Sequence, residues 1–163
     1  MQDIGFTEEL PENQNTLKGN AQEKAQFVFE KTGLNCFADD SGLEVESLGG
    51  APGVYSARYA GEECDSEKNI DKLLSELKNS EERDAIFRTV ICLILDKKEF
   101  FFEGTIDGII LNERHGTGGF GYDSVFLPDE SVDTFAEMSE DEKSSMSHRA
   151  RAVRKMLQFL RST

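Results

Sequence analysis

Apolar positions recur every three or four residues in three parts of the chain, a spacing that predicts amphipathic helices. The first helix covers residues 16–31 and ends at Gly33, a residue type that commonly terminates helices. The second covers residues 66–78. Two further helical pieces close the chain, and Ser139 and Glu142 match a capping box at the start of the first. The positions expected to face the core are Ala21, Ala25, Val28 and Phe29 in the first helix, Ile70, Leu73, Leu74 and Leu77 in the second, and Val153, Met156, Leu157 and Leu160 in the last.

Strand patterns lie between these helices. The segment 85–95 is apolar on both faces in its later part, which is typical of a central strand that is covered on both sides. A turn at residues 96–98 makes the next strand its hairpin partner. The pattern predicts an α/β fold with a long mixed sheet flanked by helices. The predicted strands are residues 36–38, 43–46, 85–95, 99–103 and 105–111.

The composition fits one soluble domain, expected to span residues 1–163. Lysine and arginine number 18 against 32 aspartates and glutamates, which gives a formal net charge of -14. Such a surface repels polymeric nucleic acid and anionic membranes, so neither is expected as a partner. A small phosphorylated ligand would need basic residues that converge locally and a divalent cation that brings the anion in.

Cysteine usage and the N-terminus bear on the compartment. The chain has 3 cysteines, which are far apart and form no C-x-x-C pair, so free thiols in a reducing cytosol are expected. The first residues given carry neither a basic start nor an apolar stretch, so no signal peptide is expected. The longest apolar run, residues 90–95, is too short to span a membrane. We therefore expect a cytoplasmic protein.

The first candidate for chemistry is the segment Asp39-Asp40-Ser41-Gly42. It is predicted to end a buried strand, where open α/β sheets usually place ligands. Adjacent carboxylates can bind Mg²⁺ through one oxygen and leave another free to deprotonate water. A solvated turn is an equal alternative, because Asp, Ser and Gly are common turn residues.

A glycine-rich loop at residues 116–123 is the second candidate, since it places Phe120 and Tyr122 among four glycines. Glycine lets a backbone approach a ligand closely, and an exposed ring can stack on a nucleobase. The alternative is a loop without function whose rings pack in the core. The loop is not a P-loop, because it lacks the Gly-Lys-Ser/Thr ending.

Basic residues are concentrated near the C-terminus of this acidic chain. Such a run is usually the solvated face of a helix. Ser147-His148-Arg149, however, lies at a predicted helix N-terminus, where amide groups and the helix dipole favour anions and acceptor atoms. The basic residues are Lys143, His148, Arg149, Arg151, Arg154, Lys155 and Arg161.

Taken together, these segments resemble the inosine/xanthosine triphosphate pyrophosphatase family, in that family's order and spacing. The resemblance implies two lobes around a nucleotide cleft, a homodimer, and hydrolysis of deaminated purine nucleoside triphosphates (ITP, dITP and XTP) to the monophosphate and pyrophosphate with Mg²⁺. The matching segments are residues 16–25, 37–43, 50–59, 118–123 and 143–149.

The resemblance also implies a role for each matching residue. Asp40 is the metal-linked general base, and Ser41 is a substrate contact. The strip that receives base and sugar is Phe120, Gly121, Tyr122 and Asp123, and the set that recognises the base and holds the substrate is Lys143, His148 and Arg149.

The chain departs from the family pattern in two places. The family opens with a strand and a Ser/Thr-x-Asn-x-x-Lys loop that holds the triphosphate, and this sequence starts after that point, so we expect an N-terminally truncated domain. Many relatives also carry a metal-binding acid directly before the Asn-Ala of the first helix, where this chain has Lys18-Gly19. Glu12 and Glu23 are the candidates to replace it.

Two rival functions stay open on the sequence alone. The first is a nucleotide-binding protein that has lost turnover because the triphosphate loop is absent. The second is an unrelated metal-dependent phosphatase that uses Asp39 and Asp40 on simpler esters. Metal-dependent release of pyrophosphate from ITP would exclude the first rival. The identity of the product tests the second, because a phosphatase releases orthophosphate and not pyrophosphate.

Overall fold

The structure, a computed structural model, describes residues 10–162; residues 1–9 and 163 lie outside that part. Within it, four strands form one sheet in the order β1-β2-β3-β4. The strands are Cys36–Val45 (β1), Asp84–Leu95 (β2), Lys98–Ile110 (β3) and Phe126–Pro128 (β4). The helices are Leu17–Thr32 (α1), Ser66–Glu76 (α2), Glu140–Met146 (α3) and His148–Ser162 (α4), with short 3₁₀ helices at Glu46–Leu48 and Gly53–Arg58.

The α/β class is confirmed, but the sheet that residues 10–162 form is antiparallel in every pairing and not mixed. The turn between β2 and β3 consists of Asp96 and Lys97, both with positive φ, as a type I′ hairpin turn requires. The segment between β1 and β2, which carries α2, returns the chain antiparallel to β1 and is therefore not a parallel crossover.

The helix predictions are largely confirmed. Thr16 caps α1 by accepting a hydrogen bond from the Gly19 amide, and Gly33 ends that helix at φ 67°. The capping box of Ser139 and Glu142 at the start of α3 is present. The inward stripe predicted for the last helix is wrong at Leu157 and Leu160, because α4 packs on the sheet through Ala152 and Met156 and these two leucines lie on its exposed side.

Two predicted strand breaks are absent because the glycines there serve close packing. Cys36–Val45 form one strand through Gly42, and a Cβ on Gly42 would collide with the Gly53 carbonyl. The two strands predicted on either side of Gly104 are likewise one strand, Lys98–Ile110, and a Cβ on Gly104 would collide with the His148 carbonyl. Asp39 and Asp40 therefore lie in the middle of a strand and not in a terminal turn.

Helices cover both faces of the sheet. Side chains along β2 alternate between them: Val90 and Cys92 pack with α1, whereas Ile91 and Leu93 pack with α4. This covering on both sides confirms the prediction for the apolar segment of β2 and fixes α1 and α4 on opposite sides of β1. Among residues 10–162, no helix is long and apolar enough to cross a membrane.

Candidate active site

A cleft of about 550 Å³ opens beside β1 and is bounded by α1, the loop before α3 and the start of α4. The structure brings together at this cleft all nine residues that the sequence nominates for the site. They are Asp40, Ser41, Phe120, Gly121, Tyr122, Asp123, Lys143, His148 and Arg149.

The side chains of β1 alternate between the two faces of the sheet, so different residues of this strand line the two ends of the cleft. Successive side chains of a strand point to opposite faces, so the neighbouring carboxylates of Asp39 and Asp40 face different helices. Asp40 turns towards α1, where it accepts hydrogen bonds from Asn20 and Lys24. Asp39 turns towards α4 and pairs with Arg149. The two aspartates therefore do not form a joint metal site.

Lys24 is the centre of the α1 end of the cleft. Its ammonium lies 2.9 Å from Asp40 Oδ1 and 2.9 Å from Glu12 Oε1, and its side chain is almost completely buried. Burial lowers the pKa of Lys24, but the hydrogen bonds and charges of Asp40 and Glu12 outweigh burial and raise its pKa overall. The ammonium is therefore charged and bridges two carboxylates.

The Asp40 carboxyl is a stronger base than an ordinary aspartate. Burial raises the pKa of Asp40, and the charge of Glu12 adds to the increase, while Lys24 and Asn20 act in the opposite direction. A raised pKa increases the affinity of the carboxylate for a proton, which suits a group that takes a proton from water.

Glu12 and Asp40 are the two carboxylates at this end of the cleft that could contribute ligands to a metal ion. Their carboxylate oxygens converge on one cation, the Lys24 ammonium, and Mg²⁺ typically takes one or two protein carboxylates while water and phosphate oxygens complete its shell. Glu23 is placed differently, because it accepts hydrogen bonds from the Asn13 amide and the Gln14 side chain. In the part of the chain that the structure describes, no group of three or more His, Cys, Asp or Glu could hold a metal ion.

An exposed aromatic ring marks the other end of the cleft. Phe120 is 69% exposed, and the Lys143 ammonium lies 4.6 Å from the centre of its ring. Lys143 also pairs with Asp123, which accepts a hydrogen bond from the Phe120 amide at 2.8 Å. The backbone needs glycine here, because Gly119 has φ 72° and a Cβ would collide with the Asp123 carboxylate.

Tyr122 supports the loop instead of exposing its ring to the cleft. Its side chain is buried, and its hydroxyl donates a hydrogen bond to the Ser56 carbonyl at 2.9 Å. Since burial is also the largest cause that raises the pKa of Tyr122, the hydroxyl stays protonated at neutral pH. Of the two rings in the loop, Phe120 is the one available for stacking.

His148 is a neutral ring in the wall of the cleft. It stacks on Phe87 with the ring centres 4.8 Å apart and an angle of 8° between the planes. Burial lowers the pKa of His148, the charges of Arg149 and Lys143 act in the same direction, and together they bring this pKa to about 3. The buried Nδ1 atom has no hydrogen-bond partner among the described residues.

Arg149 extends from the first turn of α4 towards β1. Its Nε donates to Asp39 Oδ2 at 3.2 Å, and its Nη2 donates to Ser41 Oγ at 3.4 Å. Ser147 caps the same helix by accepting a hydrogen bond from the Ala150 amide. A charged guanidinium and a neutral imidazole thus stand side by side at a capped helix start.

We expect His148 to make the protein less stable in acid. Its pKa is lower in the folded state than in the unfolded chain, so below about pH 6.5 the unfolded state binds the extra proton and the free energy of unfolding falls, by up to about 1.4 kcal/mol per pH unit, until about pH 3. His148→Phe keeps a ring against Phe87 but cannot take up the proton. Urea unfolding at several pH values in this window should show a shallower decline for the variant, and equal declines would contradict the buried neutral imidazole.

Sequence reasoning missed several residues of the site. Asn20 and Lys24 lie four residues apart on the buried stripe of α1, next to Ala21 and Ala25. Polar side chains on an otherwise apolar helix face were the available signal, because such groups are buried only when they have partners. Phe87 on β2, which also lines the cleft, gave no such signal, since phenylalanine suits a strand in any protein.

Fold and cleft together define an α/β protein whose cleft suits a phosphorylated compound with an aromatic ring system. The comparisons with known proteins agree. A model of the Ham1 family matches residues 1–159. The chain belongs to the Ham1 family.

Individual relatives are similar along almost the whole chain. The dITP/XTP pyrophosphatase of Porphyromonas gingivalis is 53% identical over 161 residues, which cover 98% of this chain and 83% of the relative. The dITP/XTP pyrophosphatase of Flavobacterium psychrophilum is 48% identical, with 99% of this chain and 85% of the relative covered. The solved structure of the Staphylococcus aureus Ham1 protein superposes with a TM-score of 0.93 at 38% identity and covers 99% of this chain and 84% of that one.

Proposed function

We propose that this chain is a metal-dependent pyrophosphatase that hydrolyses deaminated purine nucleoside triphosphates, ITP, dITP and XTP, to the monophosphate and pyrophosphate. The names of its relatives, dITP/XTP pyrophosphatases, support the activity. The observation that best supports the proposal is the alternation of side chains along β1. It directs Asp40 to one end of the cleft and Asp39 and Ser41 to the other. One strand thereby links a hydrolytic end to a base-recognition end.

At the hydrolytic end, Asp40 is the proposed general base. It takes a proton from the water that attacks the α-phosphorus, so that a new bond forms between that oxygen and phosphorus and pyrophosphate leaves. Glu12 and Asp40 are the proposed metal ligands, with Mg²⁺ as the proposed ion, and the bound metal would neutralise charge on the triphosphate. Lys24 holds the Asp40 carboxylate in place.

At the other end, His148 and Arg149 are the proposed donors to the base. Deamination replaces the 6-amino donor of adenine with a keto acceptor, which the guanidinium can satisfy because it donates and never accepts. Adenine would leave these donors facing another donor, and a site built on hydrogen bonds rejects such a mismatch by several orders of magnitude. Phe120 is the proposed stacking surface for the base.

Two further parts of the proposal rest on the family resemblance. We propose a homodimer and a cytoplasmic location, with a small purine nucleotide as the ligand. The formal net charge of -14 supports a small ligand over polymeric nucleic acid, because the surface repels a polyanion.

The proposal is tested by supplying ITP, XTP and ATP with and without Mg²⁺ and identifying every product. We expect inosine and xanthosine monophosphates with pyrophosphate, only when the metal is present, and little product from ATP. Orthophosphate as the sole phosphorus product would favour a phosphatase. Tight ITP binding without turnover would favour a nucleotide-binding protein.

A further inference from the structure

Thr89 is a polar side chain in the interior of the sheet. It lies in the middle of β2, its exposed fraction is 0%, and the residues that follow it, 90–94, are all apolar and buried. A hydroxyl in such a place lowers stability unless it is hydrogen-bonded. The residue therefore needs a partner.

That partner is Ser41. The two residues are directly opposite in the antiparallel register of β1 and β2, and their hydroxyl oxygens are 2.6 Å apart. Within residues 10–162, the Thr89 side chain makes no other hydrogen bond, whereas Ser41 also receives one from Arg149 Nη2 at 3.4 Å. Ser41 lines the cleft, and Thr89 does not.

The hydrogen atoms can be assigned from this arrangement. Each hydroxyl has one hydrogen to donate and two lone pairs that accept. If Ser41 donated to Thr89, the hydrogen of Thr89 would be buried without an acceptor, which is the costly arrangement. If Thr89 donates, its hydrogen is satisfied, both lone pairs of Ser41 accept, and the hydrogen of Ser41 is left for the cleft.

We propose that Thr89 is a positioning residue, which by donating to Ser41 directs the Ser41 O–H and the Arg149 guanidinium towards an acceptor oxygen of the bound nucleotide. This inference rests on the proposed function for the identity of the ligand. Thr89 acts through Ser41 and does not touch the ligand itself. Its effect is therefore on binding of the nucleotide and not on the water that Asp40 activates at the other end of the cleft.

The test compares Thr89→Val with Thr89→Ser, which keeps the hydroxyl, and with Ser41→Ala. The control is Thr105→Val, the same change on β3 at a position that does not line the cleft. We measure kcat and KM for ITP, the Kd for IMP by calorimetry, and thermal unfolding. Thr89→Ala is the second variant without the hydroxyl, used if the valine form does not fold.

For Thr89→Val we expect KM for ITP and Kd for IMP to rise about tenfold, the effect of one good hydrogen bond, while kcat changes much less. Thr89→Ser and Thr105→Val should bind like the wild type. The double variant Thr89→Val with Ser41→Ala should be no weaker than Ser41→Ala alone, because both changes remove the same interaction. A purely structural role would lower the melting temperature and leave KM unchanged.

Unchanged KM and Kd in the folded variant without the Thr89 hydroxyl would overturn the inference, and so would losses that add in the double variant. Failure of the wild type to hydrolyse ITP is a different result, because it would remove the proposed function. Binding of IMP by the wild type and the variants would then decide the role of Thr89 separately.

Discussion

Replacing Asp40 with asparagine is expected to reduce pyrophosphate release from ITP by at least about a hundredfold, the usual contribution of a general base. The amide keeps the size of the carboxylate and can still accept a hydrogen bond from Lys24, but it cannot take a proton from water. Lys24 also keeps its ion pair with Glu12, so the fold should survive. Initial rates at saturating ITP, together with thermal unfolding of both proteins, measure the effect.

Asp39→Asn is the matched control for this experiment. It makes the same chemical change one residue earlier, but on the side of β1 that faces Arg149. We expect kcat to fall far less than in the Asp40 variant. Similar losses in both variants, or wild-type turnover in Asp40→Asn, would remove Asp40 from the mechanism.

The second large effect is expected in the selection of the base. Arg149→Ala should lower the ratio of kcat/KM for ITP to that for ATP by about tenfold to a hundredfold, because it removes a charged donor from the base-recognition end. Arg149→Lys is the matched variant, since it keeps the charge but loses the planar fork of donors. It should recover only part of the selectivity.

The measurement is the ratio of the two specificity constants and not either rate alone. If both rates fall equally and the ratio stays at the wild-type value, Arg149 holds phosphate and does not select the base. The same ratio measured for Asp39→Asn gives a second test, because this change weakens the contact between the Arg149 guanidinium and its partner on β1. We expect the ratio for this variant to lie between the wild type and Arg149→Ala.

The helices of this fold could be predicted from the sequence, because periodicity and capping are local properties. Thr16 and Gly33 mark the ends of α1, and Ser139 caps the start of α3. The strand bounds could not be predicted at Gly42 and Gly104. From the neighbouring residues alone, each glycine predicts the end of a strand. In the structure, each one instead lets a segment that is distant in the sequence approach the strand closely.

The same distinction applies to the site. Residue types and a family resemblance were sufficient to nominate the nine residues that gather at the cleft. They did not show that Asp39 and Asp40 face opposite ways. That follows from the continuity of β1 through these residues, where the sequence predicts the end of a strand. Nor did they show Lys24, whose role depends on Glu12 and Asp40 converging from different parts of the chain.

The most direct test of the proposed function is one competition reaction, with ITP and ATP at equal concentration, Mg²⁺, and water enriched in ¹⁸O. Mass spectrometry of the products then reports both which base is chosen and which phosphorus is attacked. We expect IMP that carries ¹⁸O, unlabelled pyrophosphate, and ATP that is largely intact when the ITP is consumed. Equal consumption of ATP, or ¹⁸O that appears in orthophosphate or pyrophosphate and not in IMP, would contradict it.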